Sequence, residues 1–194
     1  MSIITASMQR DAITALKELD RQHAKEVLTT DNEVDRFNLY IVRQLKTAIQ
    51  NPRIIKEIGL KTARDCLGYR LVTKSVERTA DHAARIADNV LLIKNKLDPG
   101  TGEKLEKMSN LAVSMFETAI EALFRQDYVL AESIVEKTND IVSMEKEAVV
   151  SSQKIDVEDA PYLRLIIESI RRTAEYASDI AEVVLNLTIE SILL

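Results

Sequence analysis

The chain is poor in everything that breaks or staples a backbone. Its 194 residues include four glycines, three prolines, one cysteine and no tryptophan. The lone thiol, Cys66, cannot close an internal disulfide, which excludes a disulfide-held scaffold and makes a reducing compartment the expectation. Its expected role is that of a small hydrophobe packed between helices. So few breakers leave long stretches rich in Ala, Leu, Ile, Glu, Lys and Arg, which favour helix almost throughout. No apolar run approaches the roughly 18–20 residues that span a bilayer, and the first residues lack the charged-then-apolar order of a signal peptide. The net charge is −5, with no stripe of Lys and Arg interleaved with aromatics, so this chain is not expected to bind nucleic acid. Ser/His/Asp and Cys/His sets are missing, as is any glycine-rich phosphate loop, and an enzyme is not expected. A ferritin-like di-iron enzyme needs Glu-x-x-His on two helices. The chain has only His23 and His82, and the nearest match, Asp20 with His23, sits at an expected turn without a partner.

What the chain does have is a repeat. The stretch YRLVTKSVERTADHAARIADNVL at 69–91 returns as LRLIIESIRRTAEYASDIAEVVL at 163–185, an offset of 94. Eleven of the twenty-three paired positions are identical, including Arg70/Arg164, Arg78/Arg172, Ala83/Ala177 and Ile86/Ile180, too many for two unrelated helices. Earlier in each half the offset is 107: Met8 pairs with Met115, Ala12 with Ala119, Asp20 with Asp127 and Val34 with Ile141. The first half therefore holds thirteen extra residues between the two offsets, including Pro52 and Gly59.

Apolar spacings of three and four divide the chain into helices. Ile4, Met8, Ala12, Ala15, Leu16 and Leu19 make one face of a first helix over 2–19. The pattern resets near Asp20–Gln22, and a second helix runs to about Gln50 on Val27, Val34, Ile41, Leu45 and Ala48. Asn51-Pro52 stops it, because the residue before proline is pushed out of the helical region. After the segment IIKEIGL, with Gly59 as a break, a long helix is expected to Leu97 on Val72, Val76, Ala83, Ile86, Val90 and Ile93. DPGTG at 98–102 is the one concentrated turn signal and marks the boundary. A fourth helix is expected over about 102–125 and a fifth over 128–154. The sixth would be capped by Asp159, carry Pro161 in its first turn and run to the end. The closing VVLNLTIESILL is interrupted by polar residues and reads as a packing or dimer face. The expected fold is all-α: two tandem three-helix bundles, 1–98 and 99–194, forming an elongated molecule. Because Met1 pairs with Met108, the first helix begins about two turns later than the fourth. A longer polypeptide with another domain upstream is the expectation from that offset.

Two carboxylate pairs stand out. Glu77 and Asp81 are four apart on the third helix, as are Asp31 and Asp35 on the second, so each pair shares a helix face. They lie round from the apolar stripe, outward or on the flank. Together they could offer several oxygens to a hard cation or a small cluster. The same spacing is also ordinary on a solvated face, where like charges cost only a few tenths of a kcal/mol.

The third-helix stretch VERTADHAARIAD at 76–88 resembles the PhoU family signature, close to LERIGDHAxNIAE. Arg78, Asp81-His82-Ala83 and Ile86-Ala87 match, and so does the Glu77-x3-Asp81 spacing. DNEVD at 31–35 resembles the family's second-helix acidic step. The resemblance covers essentially the whole chain, including the doubled three-helix plan. It implies a cytoplasmic negative regulator of phosphate uptake and phosphate signalling that acts by protein–protein contact. Implied partners are phosphate transporter components and a sensor kinase or other regulator, with the membrane reached only through them. A homo-oligomer, a dimer above all, is expected. The resemblance further implies an iron or zinc cluster held by Asp31, Asp35, Glu77 and Asp81. His82 matches the motif histidine and could stand behind the ligands, pack between helices or lie on the surface. Similar archaeal proteins often carry an N-terminal DNA-binding domain of the AbrB type, which fits the late first helix.

The second half departs from this pattern. Thr138, Val142 and Arg171 replace Asp31, Asp35 and Glu77, and only Asp81 keeps an acid, Glu175. A shifted second site would use Glu136, Asp140, Glu175 and Asp179, both pairs keeping the x3 spacing. Where the family has Asn, the halves have Arg85 and Asp179, and Arg85 could pair with Asp81 in place of a metal. The competing reading is a metal-free helical scaffold or dimerisation module attached to a transporter or a transcription regulator.

Overall fold

The computed structural model describes residues 1–152 and 155–192, with side-chain detail through 188 at the C-terminal end. Among these residues there are helices and no strands: α1 Ser2–Glu18, α2 Arg21–Ile49, α3 Pro52–Glu57, α4 Asp65–Leu92, α5 Pro99–Arg125, α6 Tyr128–Glu136, α7 Thr138–Ser152 and α8 Ala160–Ile192. α1, α2 and α4 form one three-helix bundle, and α5, α6–α7 and α8 form the other. The bundles meet along α1 and α4 on one side and α5 and α8 on the other, over a continuous apolar core that runs from Ala6 to Val184. The expected stripes supply that core: Met8, Ala12, Val34, Val76, Ala83 and Ile86 are at most 4% exposed.

One turn is built twice. Leu19 ends α1 in the left-handed region at φ 56°, and the Asp20 N–H reaches back to the Ala15 carbonyl at 2.9 Å. The Asp20 side chain then caps α2 by accepting from the N–H groups of Gln22 and His23. In the second half Gln126 has φ 54°, Asp127 N–H reaches the Ala122 carbonyl at 3.0 Å, and Asp127 caps α6. The repeat thus includes the backbone of its turn.

Several expected boundaries move. DPGTG is the start of a helix: Asp98 accepts from Thr101 N–H at 3.0 Å and Pro99 takes the first helical position, where its missing N–H costs nothing. α4 ends at Leu92, not Leu97, because Ile93 turns to an extended conformation. The expected fifth helix is two, broken at Lys137, whose N–H bonds back to the Ile134 carbonyl, just before Thr138-Asn139-Asp140. Its last two positions, 153–154, lie outside the described residues, as do the side chains of 189–192 and all of 193–194 in the apolar tail. The described part of that tail packs inward, with Val184 and Thr188 buried. Asp159 does not cap its own helix with its side chain. It accepts from the backbone of Lys94 and Asn95 and so straps the α4 exit to the α8 entrance.

The thirteen extra residues carry α3 and a loop. Asn51 caps α3, Gly59 turns at φ +80°, and Ile55 and Leu60 close over Leu45, Ala48 and the buried Cys66 as a small second core.

Candidate metal centre

α2 and α4 lie side by side, so the outward flank of each faces the same groove. Carboxylate oxygens of Asp35, Glu77 and Asp81 come within 4.8 Å of one another. Glu77 is half-buried, while Asp35 and Asp81 are exposed. Asp31 sits one helical turn from Asp35 and is half-buried. Burial, then the charges of Asp81, Asp35, Glu77 and Asp88, push its carboxyl up to about 6. Asp81 is also raised, first by burial and next by Glu77, against the pull of Lys74 and Arg85. Lys74, three residues before Glu77, sets its ammonium on the Glu77 carboxylate.

The group is therefore an acidic patch short of positive charge. Its donors are all oxygen, which suits a hard cation better than one whose sites favour nitrogen and sulfur. One turn beyond Asp35, the Oδ1 of Asn38 is buried with no hydrogen-bond donor. Together these observations fit a cation. Two residues of the patch escaped the sequence reading. Lys74 stands at i−3 from Glu77, and Asp88 at i+7 from Asp81, spacings that share a helix face and could have flagged both.

A family model for the PhoU domain matches residues 1–90 and 105–184. This chain belongs to the PhoU family. The phosphate-specific transport system accessory protein PhoU homolog of Borreliella burgdorferi is 27% identical over 184 residues, covering 89% of this chain and 81% of that protein. The protein of the same description from Streptococcus pneumoniae is 26% identical over 182 residues, covering 88% and 80%. Among solved structures, the phosphate transport system regulatory protein PhoU from Streptococcus pneumoniae superposes with a TM-score of 0.82 at 21% identity, over 96% of this chain and 88% of that one. PhoU from Pseudomonas aeruginosa gives 0.72 at 19% identity, over 98% and 92%. At these identities the structures speak to the fold, which is the same doubled helical bundle.

The second PhoU repeat handles the matching groove differently. Arg171, at the position of Glu77, sends its Nε to Glu145 on α7 at 3.1 Å and also holds Glu175 on α8. Arg172 adds a contact to Glu175 at 3.0 Å. An internal guanidinium joins these helices where the first half has Glu77. Of the proposed second set, Glu136 and Asp140 are exposed, Glu175 is engaged by both arginines, and Asp179 is raised by burial, then Glu182 and Glu175. Among the described residues, Asp35, Glu77 and Asp81 are the group whose ligand atoms converge.

His82 takes the packing role. It is 7% exposed, its Nδ1 lies 3.2 Å from Ser169 Oγ, and its ring meets Tyr176 at 5.7 Å. Burial, then Arg85 and Arg172, depress it to about 4, so it is neutral at pH 7. Tyr176 is its own repeat mate, 94 residues on. Arg10 likewise meets its mate 107 residues on, Glu117, at 2.7 Å. A residue that touches its own mate lies on the axis relating two copies, so the pseudo-twofold axis passes by these two pairs.

The raised Asp31 carboxyl has a consequence for stability. Below its ordinary value of 3.8 the folded and unfolded chains are both protonated there. Between that value and about 6 the folded state holds the extra proton, so stability falls as pH rises through this window. Asp31→Asn should flatten that slope and stabilise the metal-free chain at neutral pH by about 1 kcal/mol, a figure discounted for the half-exposed site. Urea unfolding in chelator across the window checks it; a slope that the substitution leaves unchanged refutes it.

Proposed function

We propose that this chain is a cytoplasmic negative regulator of phosphate uptake and phosphate signalling, working through contacts with phosphate transporter components and with a sensor kinase or other regulator. The observation that carries the reading is the PhoU match over both repeats, together with relatives described as transport-system accessory proteins. The role is regulatory rather than catalytic. No helix among the described residues is long and apolar enough to cross a membrane, which agrees with reaching the transporter through its protein components. The repeats 1–98 and 99–194 act as two units on one shared core, and a homodimer is the assembly we expect.

Asp31, Asp35, Glu77 and Asp81 would hold an iron or zinc cluster through carboxylate oxygens. When bound, it supplies positive charge that ties α2 to α4. In the second half Arg171 already ties α7 to α8 in this way. A metal-free regulator has one observation in its favour, the Lys74 ammonium already resting on Glu77.

Deleting the gene in its native host should leave phosphate uptake high in phosphate-rich medium, and supplying the chain from a plasmid should restore repression. Uptake that responds normally to phosphate in the deletion strain would overturn the regulator reading. Recovering the tagged protein from phosphate-starved and phosphate-fed cells then identifies the partners whose association changes.

A further inference from the structure

Charge is unevenly placed along this acidic chain. Residues 36–70 hold eight Lys and Arg and two acids, Glu57 and Asp65, whereas the whole chain holds 26 Lys and Arg against 31 acids. From Arg36 to Lys56 there is no acid at all. The fold turns these cations outward. α2 buries Val34, Leu45 and Ala48, and at about 100° per residue its opposite face carries Arg36, Leu39, Arg43 and Lys46, all exposed, with Tyr40 beside them. α3 buries Ile55 and exposes Arg53 and Lys56, one turn apart. Ile55 packs with Leu45 and Ala48, so the cations of α3 and those at the end of α2 share one end of the first bundle. Among the described residues, none of these cations forms an ion pair.

Packing does not ask for this pattern. In the second bundle the mates of Arg36 and Arg43 are Ser143 and Val150, and the mates of Leu39 and Tyr40 are Lys146 and Glu147. The same helix is built there without the cations. Uncompensated positive charge calls for an anionic occupant. Apolar side chains are interspersed with the cations: Leu39 is 56% exposed, Tyr40 60% and Ile49 50%. A protein interface gathers its apolar residues into a core inside a polar rim. Single-stranded nucleic acid needs a run of aromatics to stack on, and α2 offers Phe37 and Tyr40, less than one turn apart. An anionic bilayer needs neither arrangement. Its headgroups meet the cations, and each interspersed apolar side chain enters the boundary with the acyl chains.

We propose that this end of the first bundle binds the surface of an anionic lipid bilayer. Arg36, Arg43 and Lys46 of α2, with Arg53 and Lys56 of α3, meet the anionic headgroups, and Leu39 and Tyr40 insert between them. The acidic remainder of the chain is repelled by the same surface, so the molecule stands on this end. The contact is peripheral, since no helix among the described residues is long and apolar enough to cross a membrane. The proposal goes beyond the regulator reading, adding a direct lipid contact to those made through proteins.

The probe is a vesicle of phosphatidylcholine and phosphatidylserine in equal parts, beside one of phosphatidylcholine alone. The chain has no tryptophan, so Tyr40→Trp places a single reporter on the face. Val129→Trp, at a position 74% exposed on α6 of the other bundle, is the control. Emission from position 40 should move to the blue on the mixed vesicle and stay put on phosphatidylcholine, while position 129 responds to neither. Arg43→Gln, Lys46→Gln, Arg53→Gln and Lys56→Gln together should weaken binding to the mixed vesicle at least about tenfold, as for loss of cations near an anionic surface. Added salt should weaken the parent in the same direction. Melting should stay within about 2 °C of the parent, as for surface substitutions. If the quadruple variant melts far lower, the reporter pair, which keeps every cation, decides alone. An unmoved reporter at position 40, equal shifts on both vesicles, or equal binding by parent and folded variant overturns the proposal. Polyglutamate or duplex DNA that displaces the vesicles from the parent assigns the face to an acidic protein or to nucleic acid and overturns it as well. Phosphate control in the deletion strain is read separately, so failure here and failure of the regulator reading remain distinguishable.

Discussion

Replacing Glu77 and Asp81 together with alanine is expected to abolish most of the metal binding proposed for the chain while its helices stay intact. Both carboxylates stand on one face of α4, and their oxygens converge with those of Asp35. Removing them leaves α2 with Asp31 and Asp35 alone, too few oxygens for a six-coordinate hard cation without mostly water ligands. Metal content should fall at least about tenfold, the scale seen when even supporting groups around a metal are lost. Unfolding cannot account for such a loss. The double substitution takes away two of the charges that raise Asp31, which offsets the loss of the Lys74–Glu77 pair, so the metal-free fold should be about equally stable. Elemental analysis of protein purified without chelator, beside its far-ultraviolet circular dichroism, decides the matter. Metal retained at the parent's level would remove these residues from the site.

The repeat was legible in the sequence because both halves meet the same packing demand. Met8 and Met115, or Ala83 and Ala177, face one continuous core and cannot change freely. The capped turns at Asp20 and Asp127 were legible for a similar reason, since each carboxylate serves the N–H groups that open a helix. Helix ends elsewhere were not. Proline and two glycines at 98–102 read as a turn, yet Asp98 and Pro99 together form a helix start. The break at Lys137 was hidden because the apolar stripe passes through it, from Ile134 to Ile141, without interruption. The acidic spacing was visible, but convergence depends on how α2 is set against α4, which no local pattern specifies. Lys74 and the arginine clamp at Arg171 illustrate the point. Each is an ordinary helical cation until the fold shows which carboxylate it meets.

Asp159→Ala is expected to lower stability by about 2–3 kcal/mol, the worth of a charge-assisted hydrogen-bond set whose donors are then left behind. The carboxylate is 1% exposed and accepts from Lys94 N–H at 2.9 Å, Asn95 N–H at 3.0 Å and Asn95 Nδ2 at 3.1 Å. Burial alone would raise its pKa, but these donors outweigh burial and hold it below the ordinary 3.8. Its repeat mate, Asp65, accepts from Lys61 and Thr62 in its own loop. Asp159 uses the same chemistry across the chain, fastening the end of α4 to the start of α8 at the junction of the two bundles. Losing it should therefore cost more than losing Asp65, whose loop can hydrate its amides in place. For a chain of this size the fall corresponds to a melting temperature lower by about 5–10 °C. The pH dependence separates this from a simple packing defect. Because the folded carboxyl titrates below the unfolded one, its contribution is complete above the ordinary value of 3.8 and is lost as acid protonates the folded parent. The gap between parent and variant should be full at neutral pH and narrow below that value. A gap under about 0.5 kcal/mol at neutral pH, within the range of ordinary surface substitutions, would mean that water satisfies the two amides and that the strap holds nothing.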